Sequence, residues 1–166
     1  ADERDVLDAL TVEFAEELLD LALAAFAFLV RVTLERVLGR VGAGLTVGKA
    51  YMDPVSENPG VGDVEVWGIY NTTGDAHPIH VHQVAFEVVN RQGLLVDGAD
   101  VVQPIQVVGA PTPPQAWESG LKDTVTAYPG QVTRIRAHFE RPGQFVWHCH
   151  ILEHEDNQMM RPFRIG

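Results

Sequence analysis

Near its C-terminus the chain sets its one cysteine between two histidines, in His148-Cys149-His150-Ile151-Leu152-Glu153-His154-Glu155-Asp156-Asn157-Gln158-Met159. A thiol, three imidazoles and a thioether this close together serve a metal only if the backbone holds them on defined faces, and that requirement limits the fold. Two imidazoles and a thiolate in a trigonal set, with a weak and longer axial thioether, are the donors of a mononuclear electron-transfer copper. Cys149, His154 and Met159 follow at steps of five, so one imidazole is missing. The other histidine cluster, His77-Pro78-Ile79-His80-Val81-His82, can supply it through His77, which stands apart from the alternating His80 and His82. In a strand His80 and His82 share a face, as do His148 and His150, with Cys149 on the other. A bend at Pro78 is then expected to turn His77 toward the cysteine.

A lone histidine or cysteine is more often a packed residue than a ligand, and a free cysteine behaves as a small hydrophobe. Here six of the seven histidines fall in the two clusters, which a chance arrangement does not explain. The seventh, His138 in Thr133-Arg134-Ile135-Arg136-Ala137-His138-Phe139, reads as an ordinary strand residue, and Met160 as a core residue.

Together, His77-Pro78-Ile79-His80-Val81-His82, the segment Gly120-Leu121-Lys122-Asp123-Thr124 and the stretch from His148 to Met160-Arg161-Pro162 resemble the C-terminal cupredoxin domain of multicopper oxidases, in the branch of bacterial spore-coat laccases and bilirubin oxidases. The resemblance runs from about residue 29 to the end, through Ala50-Tyr51-Met52-Asp53-Pro54-Val55. It implies that His77, Cys149, His154 and Met159 bind a type 1 copper. It also implies that His80, His82, His148 and His150 belong to a type 2/3 copper cluster that reduces oxygen, and that Glu155 assists proton delivery there. A small-molecule electron donor, phenolic or a metal ion, and O2 are the partners it implies. The long stretch from 94 to about 119 is expected to shape donor access, and family habit points to an extracytoplasmic location.

The net charge of −11 over 166 residues argues against nucleic acid or an anionic membrane surface, both of which call for clustered basic side chains. No secretory signal is visible, and the apolar run at 21–30 falls short of the about 20 residues that span a bilayer. A soluble protein is expected. Asn71-Thr72-Thr73 is a formal glycosylation sequon.

The first 25 residues are expected to form an appendage. Asp2, Glu3, Asp5 and Asp8 precede an apolar stripe at Leu7, Leu10, Phe14, Leu18, Leu21 and Ala25, which predicts a helix from 4 to about 24. Its stripe is expected to pack on the domain or mediate self-association, and an engineered origin is a third reading. Residues 26–166 form the cupredoxin domain. Strands are expected at about 28–35, 45–51, 64–70, 77–89, 124–128, 132–139, 145–150 and 161–165, with turns at Asn71 to Asp75, Asn90 to Gly93, Pro129-Gly130 and Pro142-Gly143. Residues 94–119 read as a loop. The fold class is mainly β, a cupredoxin-like antiparallel sandwich or Greek-key barrel with an N-terminal helix.

The family's cluster needs eight imidazoles, and this chain offers four. A homo-oligomer through the histidine face could present the other four, since an isologous contact duplicates one patch, and the N-terminal helix could promote or block it. The expected activity is thus a laccase-like, copper-dependent oxidoreductase completed by oligomerisation. The alternative is an isolated type 1 copper module for electron transfer, and a site of nitrite-reductase type is a weaker third reading.

Overall fold

The computed structural model describes residues 51–166 other than 99, 103, 104 and 158. The helix expected at 4–24, the strand expected at 28–35 and all but the last residue of the strand expected at 45–51 lie outside the described residues; Tyr51 itself is in a turn.

Among the described residues ten strands form: β1 (Asp63–Asn71), β2 (His77–Val81), β3 (Phe86–Leu94), β4 (Val96–Asp97), β5 (Asp100–Val101), β6 (Val107–Thr112), β7 (Thr124–Ala127), β8 (Gln131–Phe139), β9 (Gly143–Cys149) and β10 (Met160–Ile165). They make two four-stranded sheets, ordered β1-β8-β3-β6 and β10-β9-β2-β7, and a small β4-β5 ribbon. Every pairing is antiparallel, so the architecture is the expected antiparallel sandwich.

Alternation drives the burial. β8 turns Ile135, Ala137 and Phe139 inward and leaves Arg136 and His138 in solvent, as a sheet with one wet face requires. Between the sheets, Trp67 of β1 stacks on Phe139 of β8 at 5.2 Å and meets Phe163 of β10 edge-on at 5.5 Å. Aromatic pairs of this kind contribute about 0.5–1.5 kcal/mol beyond their buried area. β1 places Glu65 on the same inward face, where Trp67 Nε1 donates to Glu65 Oε2 at 2.9 Å. Burial raises that carboxyl above its usual range.

The strand expected from 77 to 89 is two strands in different sheets. β2 ends at Val81, Gln83 takes φ 72, and β3 pairs with β8 and β6 of the opposite sheet. The apolar texture marks this crossing only by a change of parity, from Ile79 and Val81 to Val84, Phe86 and Val88, all buried; neither glycine nor proline interrupts residues 81–89. The turn expected at Asn90 to Gly93 lies inside β3, which carries an irregularity between Val88 and Asn90. The loop expected over 94–119 holds β4, β5, β6 and a 3-10 turn at Ala116–Glu118. β6 is an exposed edge strand, where Pro111 is tolerated.

Gly143 opens β9 at φ 148, and a Cβ there would lie 3.0 Å from the Phe145 ring. Gly143→Ala is therefore expected to destabilise the domain by about 1–3 kcal/mol, as read by thermal unfolding.

Candidate metal centre

β2 lies between β9 and β7, and the register of these strands sorts the imidazoles. Ile79 faces Cys149 and His80 faces His148 across the β2-β9 ladder, while His77 faces Ala127 across β2-β7. Paired residues share a face, and residues three apart on one strand take opposite faces. His77 thus joins Cys149 on the inner side and His80 joins His148 on the other. The bend expected at Pro78 is not needed: the β2-β7 register runs unbroken from His77 to His80, and the odd spacing alone separates the two histidines.

After Cys149 the chain turns through a five-residue helix, α1 (Leu152–Asp156). The sequence patterns did not indicate it, since it is a single turn whose N-cap, Ile151, has no capping side chain; the acidic residues Glu153 and Glu155 in its first turn are the only local signal. The helix brings His154 back over Cys149. Backbone bonds close the loop: Cys149 N–H donates to the Met159 carbonyl and Met159 N–H to that of His154, both at 3.0 Å.

The resulting inner cluster is compact. Cys149 Sγ lies 3.7 Å from His77 Nδ1 and 3.7 Å from His154 Nδ1, and the two nitrogens are 3.1 Å apart. His77, Cys149 and Met159 are buried in the core and His154 is half-buried. Imidazole nitrogens about 2.0–2.1 Å and a thiolate about 2.3 Å from one first-row ion would stand about 3.3–3.8 Å from each other. Both sulfur–nitrogen distances fall in that range and the nitrogen pair is about 0.2 Å tighter than its lower end, so a single metal needs only a slight spreading of the rings, and two imidazoles with one thiolate are the soft trigonal set that suits copper. Burial, followed by the neighbouring His154 and against the pull of Asp75, lowers His77 to about 4, so its ring is neutral near pH 7. Burial also pushes the Cys149 thiol upward.

A second cluster forms on the opposite face from His80, His82 and His148, whose ligand atoms all lie within 4.8 Å of one another. His82 Nε2 and His148 Nε2 are 3.1 Å apart. His148 Nδ1 is 3.0 Å from the Cys149 carbonyl and His80 Nδ1 is 2.9 Å from the Asp123 carbonyl. A carbonyl only accepts, so both rings carry the proton on Nδ1 and leave Nε2 free for a ligand. Partial desolvation of the ring and the adjacent His80 and His148 lower His82 below the usual imidazole range. His150 stands at the rim, exposed, with its ring 5.6 Å from that of His148 and 5.8 Å from that of His80. Glu155 Oε2 is 3.2 Å from His148 Nδ1.

The remaining residues singled out in the sequence fall elsewhere. His138 is exposed on β8 beside Glu140, and Met160 is half-buried opposite His148 in the β9-β10 ladder. Asn71 is fully buried, with its amide nitrogen bound to the carbonyls of Asp75 and Ala127. The folded chain leaves no room for a glycan at that sequon.

A family model described as multicopper oxidase matches residues 44–166. A laccase of Bacillus stratosphericus is 49% identical over 114 residues, covering 68% of this chain and 22% of the relative. A laccase of Bacillus subtilis (strain 168) is 46% identical over 118 residues, covering 70% and 23%. Among solved structures, the McoA multicopper oxidase of the hyperthermophile Aquifex aeolicus superposes with a TM-score of 0.58 at 26% identity, covering 82% of this chain and 28% of that one. The chain spans about a fifth of the length of the curated relatives it matches.

Proposed function

We propose that this chain, which belongs to the multicopper oxidase family, accepts single electrons at a type 1 copper held by His77, Cys149, His154 and Met159. It relays them to a second centre for which His80, His82, His148 and His150 provide half the ligands. One observation carries this reading: Cys149 touches both imidazoles of the inner cluster while, of its peptide neighbours, His148 stands in the outer one and His150 at its rim. Copper supplies one-electron redox chemistry at the first site, and at the second the four-electron reduction of O2 to water that the family performs.

The chain's own residues do the rest. The interlocked Cys149–Met159 loop and the flanking β2 strand keep the donors from rearranging, and burial keeps water from the thiolate. His154, the half-buried member of the inner cluster, gives an outside donor the most accessible approach. From Cys149 two routes lead outward: through the peptide bonds to either neighbour, and across the hydrogen bond from His148 Nδ1 to the Cys149 carbonyl. Glu155 holds a carboxyl oxygen at the edge of the outer cluster and is assigned proton delivery there.

The outer histidines face away from the core, and this reading has a second set of four imidazoles close over them. A second copy of the chain, related by a two-fold axis, is the proposed source. A phenol or a reduced metal ion is the proposed donor. Copper analysis combined with sedimentation and oxygen uptake tests this. The expected result is more than one copper per chain in an oligomer that consumes O2 with a phenolic donor. One copper per chain in a monomer without uptake would leave the alternative, an isolated electron-transfer module.

A further inference from the structure

The short turn between β1 and β2 does more than connect them. Asn71 Nδ2 sits 2.6 Å from the Asp75 carbonyl and 3.0 Å from the Ala127 carbonyl. Carbonyls only accept, so the amide nitrogen must point at them and Oδ1 must point the other way. There Oδ1 accepts from Thr73 N at 2.9 Å and from Thr73 Oγ1 at 2.8 Å. A hydroxyl has one hydrogen to give. Thr73 has a second acceptor in reach, the Asp75 carbonyl, but at the longer distance of 3.3 Å. With its hydrogen spent on Asn71, Thr73 Oγ1 can only accept from His77 Nε2, which lies 2.7 Å away. The proton of the His77 ring is thereby held on Nε2, and the lone pair is left on Nδ1, the atom 3.7 Å from Cys149 Sγ and 3.1 Å from His154 Nδ1.

From this chain of donors we infer that Thr73 and Asn71 are positioning residues for the inner metal site: together they select the His77 tautomer and the ring orientation that present Nδ1 to the metal. The inference rests on the reading of His77 as a ligand. The partner on the far nitrogen of a ligating imidazole fixes its tautomer and raises its basicity, and losing such a partner weakens metal binding by about tenfold to a hundredfold. The order of the links matters. Asn71 acts through Thr73, whose N–H and hydroxyl it accepts: without that acceptor the threonine hydrogen could turn toward Nε2 and reverse the tautomer.

Two measurements on the full chain test this. In the metal-free protein, long-range nitrogen-15 correlation at pH 8 should show His77 as the Nε2–H tautomer, with no substitution required. In a chelator competition for copper, Thr73→Val should lose about tenfold to a hundredfold in affinity, while Thr73→Ser, which keeps the hydroxyl, should stay within a few-fold of the parent. Thr73→Val should also show a mixed His77 tautomer when metal-free. An Nδ1–H tautomer in the parent, or unchanged affinity in a folded Thr73→Val protein, would overturn the proposal. Cys149→Ser measured in parallel keeps the failures apart. If copper affinity ignores Cys149, the site assignment fails, and the metal-free nitrogen spectrum still decides whether Thr73 sets the tautomer.

Discussion

Cys149→Ser is expected to remove completely the intense visible absorption that the proposed copper site would give, and to abolish electron uptake from a phenolic donor. The absorption expected of this site is a thiolate-to-copper transition, and Cys149 is the chain's one sulfur of that kind. A serine hydroxyl in the same buried place, among His77, His154 and the core, does not ionise under conditions where a coordinated thiol does. The fold should survive. The substituted side chain is small, and an unsatisfied buried hydroxyl costs about 1–3 kcal/mol, whereas the strand ladders on either side do not use the sulfur. His150→Ala provides the contrast: its ring stands at the rim of the outer cluster, so the colour should remain while oxygen uptake falls. His138→Ala, on the wet face of β8, should change neither. Optical and electron paramagnetic resonance spectra of the three variants, loaded to equal copper, check this; a coloured Cys149→Ser protein would refute the inner site.

Much of this site could be read from residue order, because strand parity is a local property. Two histidines at odd spacing from each other, on a strand paired with His148-Cys149, must divide between faces, and His77 and His80 do. The path between the elements was less legible. Val84, Phe86 and Val88 alternate but stand out of phase with Ile79 and Val81, a one-residue slip that is easily read through as one strand; the crossing to the other sheet is set by Gln83 at positive φ together with the Phe86–Lys122 backbone bonds, which are tertiary in origin. The α1 turn escapes notice for the same reason: five residues without a side-chain cap have little helical preference of their own, and backbone bonds from Cys149 and Met159 hold the loop that contains it. The contact between Thr73 and His77 is local in sequence, four residues apart, but its meaning depends on Ala127, which is brought to Asn71 by β7.

Removing the carboxylate of Glu118 should be the most destabilising polar change among the described residues. Arg91 NH1 and NH2 donate to Glu118 Oε2 and Oε1, each at 2.6 Å, and NH2 also donates to the Thr126 carbonyl at 3.0 Å. The two side chains are 6% and 10% exposed, and the guanidinium lies 5.1 Å from the centre of the Tyr128 ring. Arg91 belongs to β3 and Thr126 to β7, so this group ties one sheet to the other and anchors the 3-10 turn beside them. Glu118→Ala leaves a guanidinium buried without its counter-ion, at a cost of about 3–5 kcal/mol, which corresponds to a melting shift of roughly 6–20 °C. Replacing both partners, as Arg91→Met with Glu118→Leu, should recover most of that loss, because the penalty comes from the stranded charge rather than from the missing attraction. The pH dependence has a definite sign. The hydrogen bond from Arg91 is the main cause holding the Glu118 carboxyl below the ordinary value of 4.5. The unfolded chain therefore takes up the proton first, and the pair's contribution is complete above that ordinary value and fades as the pH falls through the lower, folded one. Melting of the metal-free parent and Glu118→Ala proteins between pH 7 and pH 3 should show a gap that is widest near neutrality and closes in acid. A gap independent of pH, or smaller than about 1 kcal/mol, would mean that the pair contributes no more than an exposed ion pair does. Thr126 adjoins Ala127, which pairs with His77 across the ladder, so the same substitution should loosen the strand that carries the first imidazole.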